Sequence, residues 1–253
     1  MKKELFNAKQ IQLLLLKDKW GNLKDYDFFN WANSLTTSNT EGLEKFSTFN
    51  PGQKIGIVNL YDQGISSFAC HSERDFLNYS KKHNYTLYTY RDSLDRDSYA
   101  SWSKARSILN HIKEHDYLIW LDSDIIIFNE DITLESIIES SSKSIIASKD
   151  IGGHCFLNSG VLFFKNDDFS VSVLKEWNKF RGNKSSLHSD GGDQKILSDI
   201  ILGIENHNSY VDIHDMSKFN TDPRAIDFQT FILHFMSYPK CLKDFFIHYW
   251  NSN

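Results

Sequence analysis

The stretch YLIWLDSDIIIFNED, residues 117–131, decides how the rest of the sequence is interpreted. Five apolar residues, typical of a buried strand, lead into Asp122-Ser123-Asp124, and four apolar residues follow. In an extended backbone Asp122 and Asp124 lie on one side, at the strand end where parallel sheets bind ligands. Two carboxylates so close repel each other, and a divalent cation removes that repulsion. Oxygen ligands favour Mg²⁺ or Mn²⁺, which commonly keep coordination positions open for substrate phosphates. The alternative interpretation is that one Asp caps a turn and the other is solvated.

The composition is that of an ordinary soluble globular protein. The chain has 253 residues, of which 40% are hydrophobic and 24% charged, and its formal net charge is -5. This length suits one large α/β domain or two small ones, and the negative charge disfavours nucleic acid and anionic membranes as partners. The apolar run at residues 11–16 is too short for a signal peptide or a membrane span. Three scattered cysteines form no metal-binding or disulfide pattern, so we expect a cytoplasmic protein, either free or peripheral to a membrane.

Strand-like and helix-like segments alternate along most of the chain. This alternation predicts a mostly parallel sheet flanked by helices in a single α/β domain, residues 51–253, preceded by a helical extension, residues 1–50. Ser72 is the expected N-cap of the first helix in the domain, and residues 155–167 are predicted to form a strand, a turn and a strand. The predicted strands are 54–61, 85–91, 117–128 and 144–148, and the predicted helices are 72–84, 98–115, 133–141, 168–181 and 191–203. Residues 231–250 are predicted to start as a strand and then turn.

Five segments occur in the order found in one enzyme family. They contain a helix leading into the second strand, a W-x-K with a W-L-D-x-D, an N-[TS]-G segment, a D-Q pair, and a late H-F segment followed by Lys. The chain resembles the retaining galactosyl-, xylosyl- and mannosyltransferases of glycosyltransferase family 34 and, more distantly, family 8. Ser237 stands where the family usually has glycine, and Pro239 shifts Lys240 by about one position. The segments are ERDFLNYSKKHNYTLYTY (73–90), DRDSYASWSKARSILNHIKEHDYLIWLDSDIIIFN (95–129), FLNSGVLFFKND (156–167), GGDQKIL (191–197) and LHFMSYPK (233–240).

The resemblance implies a GT-A (Rossmann-like) fold and a group-transfer reaction. Such an enzyme would move a hexose or pentose from a nucleoside-diphosphate sugar to a glycan, a lipid-linked acceptor or a protein, with retention of configuration. A UDP-sugar is the favoured donor, and GDP-mannose is compatible with the family. The leaving diphosphate gains negative charge, so the main catalytic task is to stabilise that charge.

The resemblance also assigns residues to the donor site. Asp122, Asp124 and His234 would bind the cation, and an imidazole ligand favours Mn²⁺ over Mg²⁺. By composition alone, His234 lies between apolar neighbours and would be a core histidine. The other donor contacts would come from Lys104, Ser123 and Lys240 near the diphosphate and from Tyr61 and Asp62 near the base.

Later motifs are assigned by resemblance to the donor sugar and the acceptor. Asp193 and Gln194 would face the donor sugar as catalytic groups, although Asp193 could equally serve as a helix N-cap. Asn158 offers a hydrogen-bond donor and an acceptor to a sugar hydroxyl, although Asn-Ser-Gly is also typical of a tight turn. The sequence leaves open whether the group on the β-face of the sugar is a nucleophile or stabilises a front-side displacement. The remaining candidates for substrate contacts are Ser159, Gly160, His188, Asp190, His154, Trp102, Phe156 and Tyr238.

Other functions could use the same residues. A sugar nucleotidyltransferase or a nucleotide-sugar hydrolase could employ the same aspartate-bound metal, and a catalytically degenerate relative could bind glycans without turnover. The sequence contains no G-x-x-x-x-G-K-[ST] motif and no glycine-rich dinucleotide loop after the first strand, which disfavours kinases, GTPases and dehydrogenases. A transferase should bind UDP or GDP only with Mn²⁺, whereas a nucleotidyltransferase should prefer a triphosphate with a sugar phosphate.

Overall fold

The computed structural model describes residues 43–95, 98–180, 192–227 and 229–252, and within them nine strands and six α-helices. The strands are β1 (Phe46–Phe49), β2 (Ile55–Leu60), β3 (Thr86–Tyr90), β4 (Tyr117–Leu121), β5 (Ile125–Ile127), β6 (Ile145–Ser148), β7 (Asn158–Lys165), β8 (Val211–His214) and β9 (Ile232–His234). The α-helices are α1 (Ser66–His83), α2 (Lys104–His111), α3 (Leu134–Glu139), α4 (Asp168–Trp177), α5 (Gly192–Leu202) and α6 (Lys240–Ser252).

Seven of these strands form one sheet in the order β1-β3-β2-β4-β7-β6-β8. Strand β2 pairs in parallel with both β3 and β4, and β6 pairs in parallel with β8. Strand β1 is antiparallel to β3, and β7 is antiparallel to both β4 and β6. Five strands therefore share one direction, which confirms the predicted mostly parallel sheet flanked by helices.

The reversed strand β7 brings two sequence motifs together. Its first residues lie beside the carboxyl end of β4, with Leu121 opposite Val161. The pairing continues by one bond, because the Asp122 backbone N–H donates to the Gly160 carbonyl at 2.8 Å. The start of β7 thus lies against Asp122-Ser123-Asp124, although 35 residues of sequence lie between Asp124 and Gly160 by their numbers.

The predicted strand at 117–128 is interrupted at its aspartates. Strand β4 ends at Leu121, and β5 pairs with β9 in a separate two-stranded sheet, with Ile125 opposite His234. The Phe235 backbone N–H donates to the Asp124 carbonyl at 2.9 Å, which continues that pairing. The change of partner between β4 and β5 therefore places His234 beside the aspartate motif.

The sheet is buried on both faces, as expected for a mostly parallel sheet. In β4, Leu118 and Trp120 belong to the apolar cluster that includes α2, α4 and α5, whereas Ile119 and Leu121 belong to the cluster that includes α1 and α3. Fully burying a Leu or Ile side chain contributes about 1.5–3 kcal/mol relative to leaving it exposed. The strand that carries the aspartates is thus anchored from both sides.

Three local predictions are corrected by the structure. Helix α1 begins at Ser66, so Ser72 lies inside it, on the buried face with Phe68, Phe76 and Tyr79, and is not the N-cap. The segment predicted as strand, turn and strand contains the single strand β7, because this segment runs between β4 and β6 and pairs with both. After β9 the chain continues as helix α6, which packs against α1, where the sequence predicted only a turn.

The predicted helical extension, residues 1–50, lies outside the described residues over its first 42 positions. Its last part is not helical, because Phe46–Phe49 forms β1 and pairs with β3. The sheet therefore begins before residue 51. Among the described residues, no helix combines the length and apolar character that crossing a membrane requires.

Candidate active site

A cavity of about 950 Å³ lies at the carboxyl ends of β2 and β4. The loop at residues 150–155, the start of α5 and the segment after β9 form its other walls. Its lining includes five aspartates but only three lysine or arginine residues. An excess of carboxylates over permanent cations fits the binding of a metal cation. The charged residues of the lining are Asp122, Asp124, Asp150, Asp193, Asp222, Lys104, Lys243 and Arg224.

Each aspartate of the Asp122-Ser123-Asp124 motif has one oxygen bound to a lysine. Lys104 Nζ lies 2.9 Å from Asp122 Oδ1, which also accepts a hydrogen bond from Trp120 Nε1 at 2.7 Å. Lys243 Nζ lies 2.6 Å from Asp124 Oδ2. The two carboxylates are therefore fixed in orientation by different parts of the chain.

The second oxygen of each aspartate is turned toward His234. Its Nε2 lies 3.1 Å from Asp124 Oδ1 and 3.8 Å from Asp122 Oδ2. One ligand atom from each of these three residues lies within 4.8 Å of the other two. Two carboxylate oxygens and an imidazole nitrogen are ligands that suit Mn²⁺ and related divalent ions. The residues present thus fit a divalent cation.

Gly160 allows the His234 ring to reach this position. A Cβ atom on Gly160 would lie 2.0 Å from His234 Cε1, far inside any van der Waals contact. The glycine of the Asn158-Ser159-Gly160 segment is therefore required by the close approach of the ring, not by a turn.

Burial and charge separate the proton affinities of the two aspartates. Burial, together with the neighbouring Asp124 carboxylate, raises the pKa of Asp122 despite its contact with Lys104. Burial acts in the same direction on Asp124, but His234 and Lys243 outweigh it and hold the pKa of Asp124 well below its ordinary value. Burial lowers the pKa of Lys104, but Asp122 and Asp193 outweigh it and raise that pKa. The positive charge of Lys104 is stabilised by two carboxylates. Asp122 shares that positive charge with Asp193, so it is stabilised less.

Lys104, predicted as a diphosphate contact, lies in the cavity wall but is engaged by protein groups. Besides Asp122, its Nζ contacts Asp193 Oδ2 at 3.1 Å and Ser159 Oγ and O at 3.2 and 3.3 Å. An ammonium has three donors, and these are already shared among four acceptors. Lys104 therefore connects Asp122 to Asp193.

Asp193 and Gln194, the predicted catalytic pair, both line the cavity. Asp193 lies in the first turn of α5, and its carbonyl accepts a hydrogen bond from Trp177 Nε1 at 3.1 Å. Gln194 uses both ends of its amide, because Oε1 accepts from the Ser159 N–H at 3.1 Å and Nε2 donates to Asp150 at 3.1 Å. Gln194 thus links the start of β7 to the loop at residues 150–155.

Two predicted base contacts do not reach the cavity. Tyr61 is buried, and its hydroxyl donates to Glu73 at 2.7 Å. Asp62 caps the short 3₁₀ turn at Gln63–Ile65 by accepting from the Gly64 N–H at 2.9 Å. Neither residue is among those that line the cavity, and their contact with the base stays a prediction.

Lys240, predicted for the diphosphate, also lies away from the cavity lining. It contacts Ser67 and Asp244, and its side chain is half-exposed. Lys243 takes the place in the cavity instead.

The other predicted residues have mixed positions. Ser123 lines the cavity, but its hydroxyl donates to the Leu60 carbonyl and accepts from Asn59, which ties β2 to β4. Asn158, Ser159, Gly160, His154 and Tyr238 line the cavity, whereas Trp102 and Phe156 do not. Asp190 and His188 lie outside the described residues.

Sequence reasoning missed a polar cluster on the cavity wall. Asp222 accepts from Arg224 Nε and Nη2 at 2.7 and 2.6 Å and from the Tyr238 hydroxyl at 3.0 Å. It also missed Asn220, which contacts His234, and Asp150, which holds Gln194. The only sequence signal for Asp222 and Arg224 is the D-P-R tripeptide, which is typical of an ordinary turn.

Residues 59–143, a segment that contains both aspartates, match the galactosyl transferase GMA12/MNN10 family. A glycosyltransferase involved in the glycosylation of the major capsid of PBCV-1 has the same fold, with a TM-score of 0.62 at 15% identity. That similarity covers 77% of this chain and 98% of the other. The chain is a glycosyltransferase of the GT-A fold.

A second solved structure is similar to this glycosyltransferase. The glycosyltransferase GlyE of Streptococcus pneumoniae TIGR4 is 15% identical, with a TM-score of 0.51, and the similarity covers 79% of this chain and 60% of the other. At such low identity both structures establish the fold alone. No curated protein sequence matches the glycosyltransferase.

Proposed function

We propose that this glycosyltransferase transfers a hexose or pentose from a nucleoside-diphosphate sugar, with retention of configuration, and uses a divalent cation bound by Asp122, Asp124 and His234. The observation that carries the proposal is the convergence of these three ligand atoms in a cavity of about 950 Å³ at the strand ends. Small-molecule sites span about 300–1,000 Å³, so this cavity has room for a donor and part of an acceptor.

The donor and acceptor classes follow from the family resemblance. A UDP-sugar is favoured and GDP-mannose is compatible, with a glycan, a lipid-linked acceptor or a protein receiving the sugar. The imidazole among the ligands favours Mn²⁺ over Mg²⁺. When bound, the cation would neutralise charge on the diphosphate as it leaves.

Lys243 is the residue proposed to act on the diphosphate beside the cation site. Its ammonium lies on the cavity wall, 2.6 Å from Asp124 Oδ2, and its side chain is largely buried. A fixed positive charge in a partly dehydrated site stabilises developing negative charge more strongly than it would in water. Lys243 therefore replaces Lys240 in the assignment.

Asp193 is the residue proposed to face the reacting sugar. Its Oδ2 is held by Lys104 at 3.1 Å and lies 3.4 Å from Ser159 Oγ. A carboxylate at this position can stabilise positive charge on an oxocarbenium-like sugar. Retention would then follow either from attack by Asp193 or from a front-side displacement in which a phosphate oxygen takes the acceptor proton.

Calorimetric titration of the protein with UDP and with GDP tests this proposal. We expect binding in the presence of Mn²⁺, its loss with chelator, and an affinity about 10- to 100-fold lower for Asp124→Asn, because that change removes the negative charge of a metal ligand. Asp215→Asn is the matched control, because Asp215 is exposed and lies outside the cavity lining. Nucleotide binding that is insensitive to chelator and to Asp124→Asn would overturn the proposal.

A panel of sugar nucleotides identifies the donor. Slow hydrolysis with Mn²⁺ should be strongest for one UDP-sugar or for GDP-mannose, and NMR of the transfer product should show the anomeric configuration of the donor. Preferential use of a nucleoside triphosphate with a sugar phosphate would instead indicate a nucleotidyltransferase.

A further inference from the structure

His234 lies at one end of a buried chain of amide contacts. Its Nδ1 is 2.8 Å from Asn220 Oδ1, and Asn220 Nδ2 donates to Asn158 Oδ1 at 2.8 Å. The same Asn158 oxygen accepts from the Gly160 backbone N–H at 2.9 Å. Asn220 is 0% exposed and His234 is 3% exposed, so protein groups determine these contacts.

The backbone N–H of Gly160 determines which atom donates and which accepts in every hydrogen bond of this series. A backbone N–H can only donate, so the Asn158 atom facing Gly160 must be the amide oxygen. An amide oxygen can only accept, so Asn220 must turn its NH₂ group toward Asn158. The oxygen of Asn220 is then left facing His234, and Nδ1 of the ring must carry the hydrogen.

Two further contacts are compatible with the same orientations. Asn220 Nδ2 also donates to Ser148 Oγ at 2.6 Å. Asn158 Nδ2 points to Met236 Sδ at 3.6 Å, a weak acceptor. With the hydrogen on Nδ1, the neutral ring has its lone pair on Nε2, the atom turned toward Asp122 and Asp124.

We propose that Asn220 is a positioning residue that, through this relay from the Gly160 N–H by way of Asn158, holds His234 in the Nδ1–H tautomer and keeps Nε2 open for a divalent cation. The relay opposes a competing arrangement, because an Nε2–H would donate to Asp124 Oδ1, which lies only 3.1 Å away. The metal-binding consequence rests on the proposed function, whereas the tautomer is a property of the metal-free protein.

The test compares two replacements of similar size at position 220. Asn220→Leu removes the acceptor for Nδ1–H, whereas Asn220→Asp keeps an oxygen there. In the metal-free protein at alkaline pH, ¹⁵N and ¹³C NMR of the His234 ring should show Nδ1–H in the wild type and in Asn220→Asp. Asn220→Leu should shift the neutral ring toward Nε2–H and weaken Mn²⁺ binding about 10- to 100-fold, the usual loss for a partner that orients a metal ligand.

Position 158 supplies a second test of the relay. Asn158→Asp can only accept at both contacts, so the His234 tautomer should stay as in the wild type, whereas Asn158→Leu should allow both tautomers. Asn59→Leu is the control for the tautomer measurement, because Asn59 is equally buried and makes two side-chain hydrogen bonds without touching the ring.

Two results would overturn the inference. One is a wild-type ring with its hydrogen on Nε2, and the other is an Asn220→Leu ring whose tautomer is unchanged. Failure of the proposed function is a separate observation, namely that the wild-type protein binds no Mn²⁺ whatever its tautomer. The tautomer is compared only among variants whose ¹⁵N spectrum is that of a folded protein. Because Asp and Leu are each introduced at two positions, the test does not depend on any one variant folding.

Discussion

Asp122 and Asp124 are separated by one residue, yet their surroundings differ in almost every respect. Asp122 is held by Trp120 and Lys104, which come from the buried strand β4 and from α2. Asp124 is held by Lys243 and faces His234, and both of these residues come from the last part of the chain. We call these the Asp122 side and the Asp124 side. The difference indicates that one side connects the proposed metal site to the scaffold and the other closes it.

The two lysines give the sharpest way to test this division. Lys104 has a side chain 7% exposed and holds two carboxylates, so Lys104→Met should lower the free energy of unfolding by about 3–5 kcal/mol. Lys243 is 16% exposed and holds only one carboxylate, so Lys243→Met should cost only about 1–3 kcal/mol. The Lys243 variant should lose affinity for Mn²⁺ with UDP more than it loses stability.

Chemical denaturation and calorimetric titration of both variants measure these effects. Equal destabilisation by the two substitutions would contradict the division between scaffold and closing side. Lys45→Met is a suitable control, because Lys45 forms an exposed ion pair with Asp92 and should change stability by less than about 1 kcal/mol.

Gly160 joins the two sides, because its carbonyl pairs with the Asp122 N–H and its Cα faces the His234 ring. In Gly160→Ala the new methyl group would overlap the ring at 2.0 Å, so the imidazole must move away from the aspartates. We expect Mn²⁺ affinity to fall at least about 10-fold, as seen when the orientation of a metal ligand is lost. Titration of the wild type and the variant with Mn²⁺ measures the change.

Gly64→Ala is the matched control for this substitution, because its Cβ would meet only the Asp62 side chain at 3.1 Å. Unchanged Mn²⁺ affinity in Gly160→Ala would show that His234 is not a ligand or that the ring adapts without loss.

Much of the scaffold could be predicted from the sequence, because it depends on local patterns. The apolar runs of β2, β3, β4 and β6 and the periodicity of the flanking helices are consequences of burial between two layers. The family motifs also identified Asp122, Asp124 and His234, which the structure brings together.

What could not be predicted depends on contacts between distant segments. The break between β4 and β5 requires β9 as a partner, and nothing in the local sequence indicates it. Lys243 was missed because the motif points to Lys240 and the helical phase of α6 decides which lysine faces the cavity. Tyr61 was placed at the base because it ends a strand, whereas the Glu73 carboxylate on α1 draws its hydroxyl into the interior.

The smallest expected effect is a change in stability at Ser237, which belongs to the Asp124 side only. Its φ of 59° is left-handed, a conformation that costs a non-glycine residue about 1–2 kcal/mol. The backbone at position 237 therefore has the conformation that favours glycine, the residue usual in the family at this position. Ser237→Gly should raise the melting temperature by roughly 1–3 °C after the entropy cost of glycine is subtracted.

Ser217→Gly is the control, because Ser217 is not among the residues with positive φ and should lose stability on the same change. Differential scanning calorimetry of both variants compares them directly. A lower melting temperature for Ser237→Gly would contradict the left-handed backbone at this position.

Anomalous diffraction from a crystal soaked in manganese chloride tests the central claim most directly. We predict one strong peak at bonding distance from Asp122 Oδ2, Asp124 Oδ1 and His234 Nε2. A map without a peak there, with both carboxylates still held by their lysines or turned toward solvent, would contradict the assignment of this site.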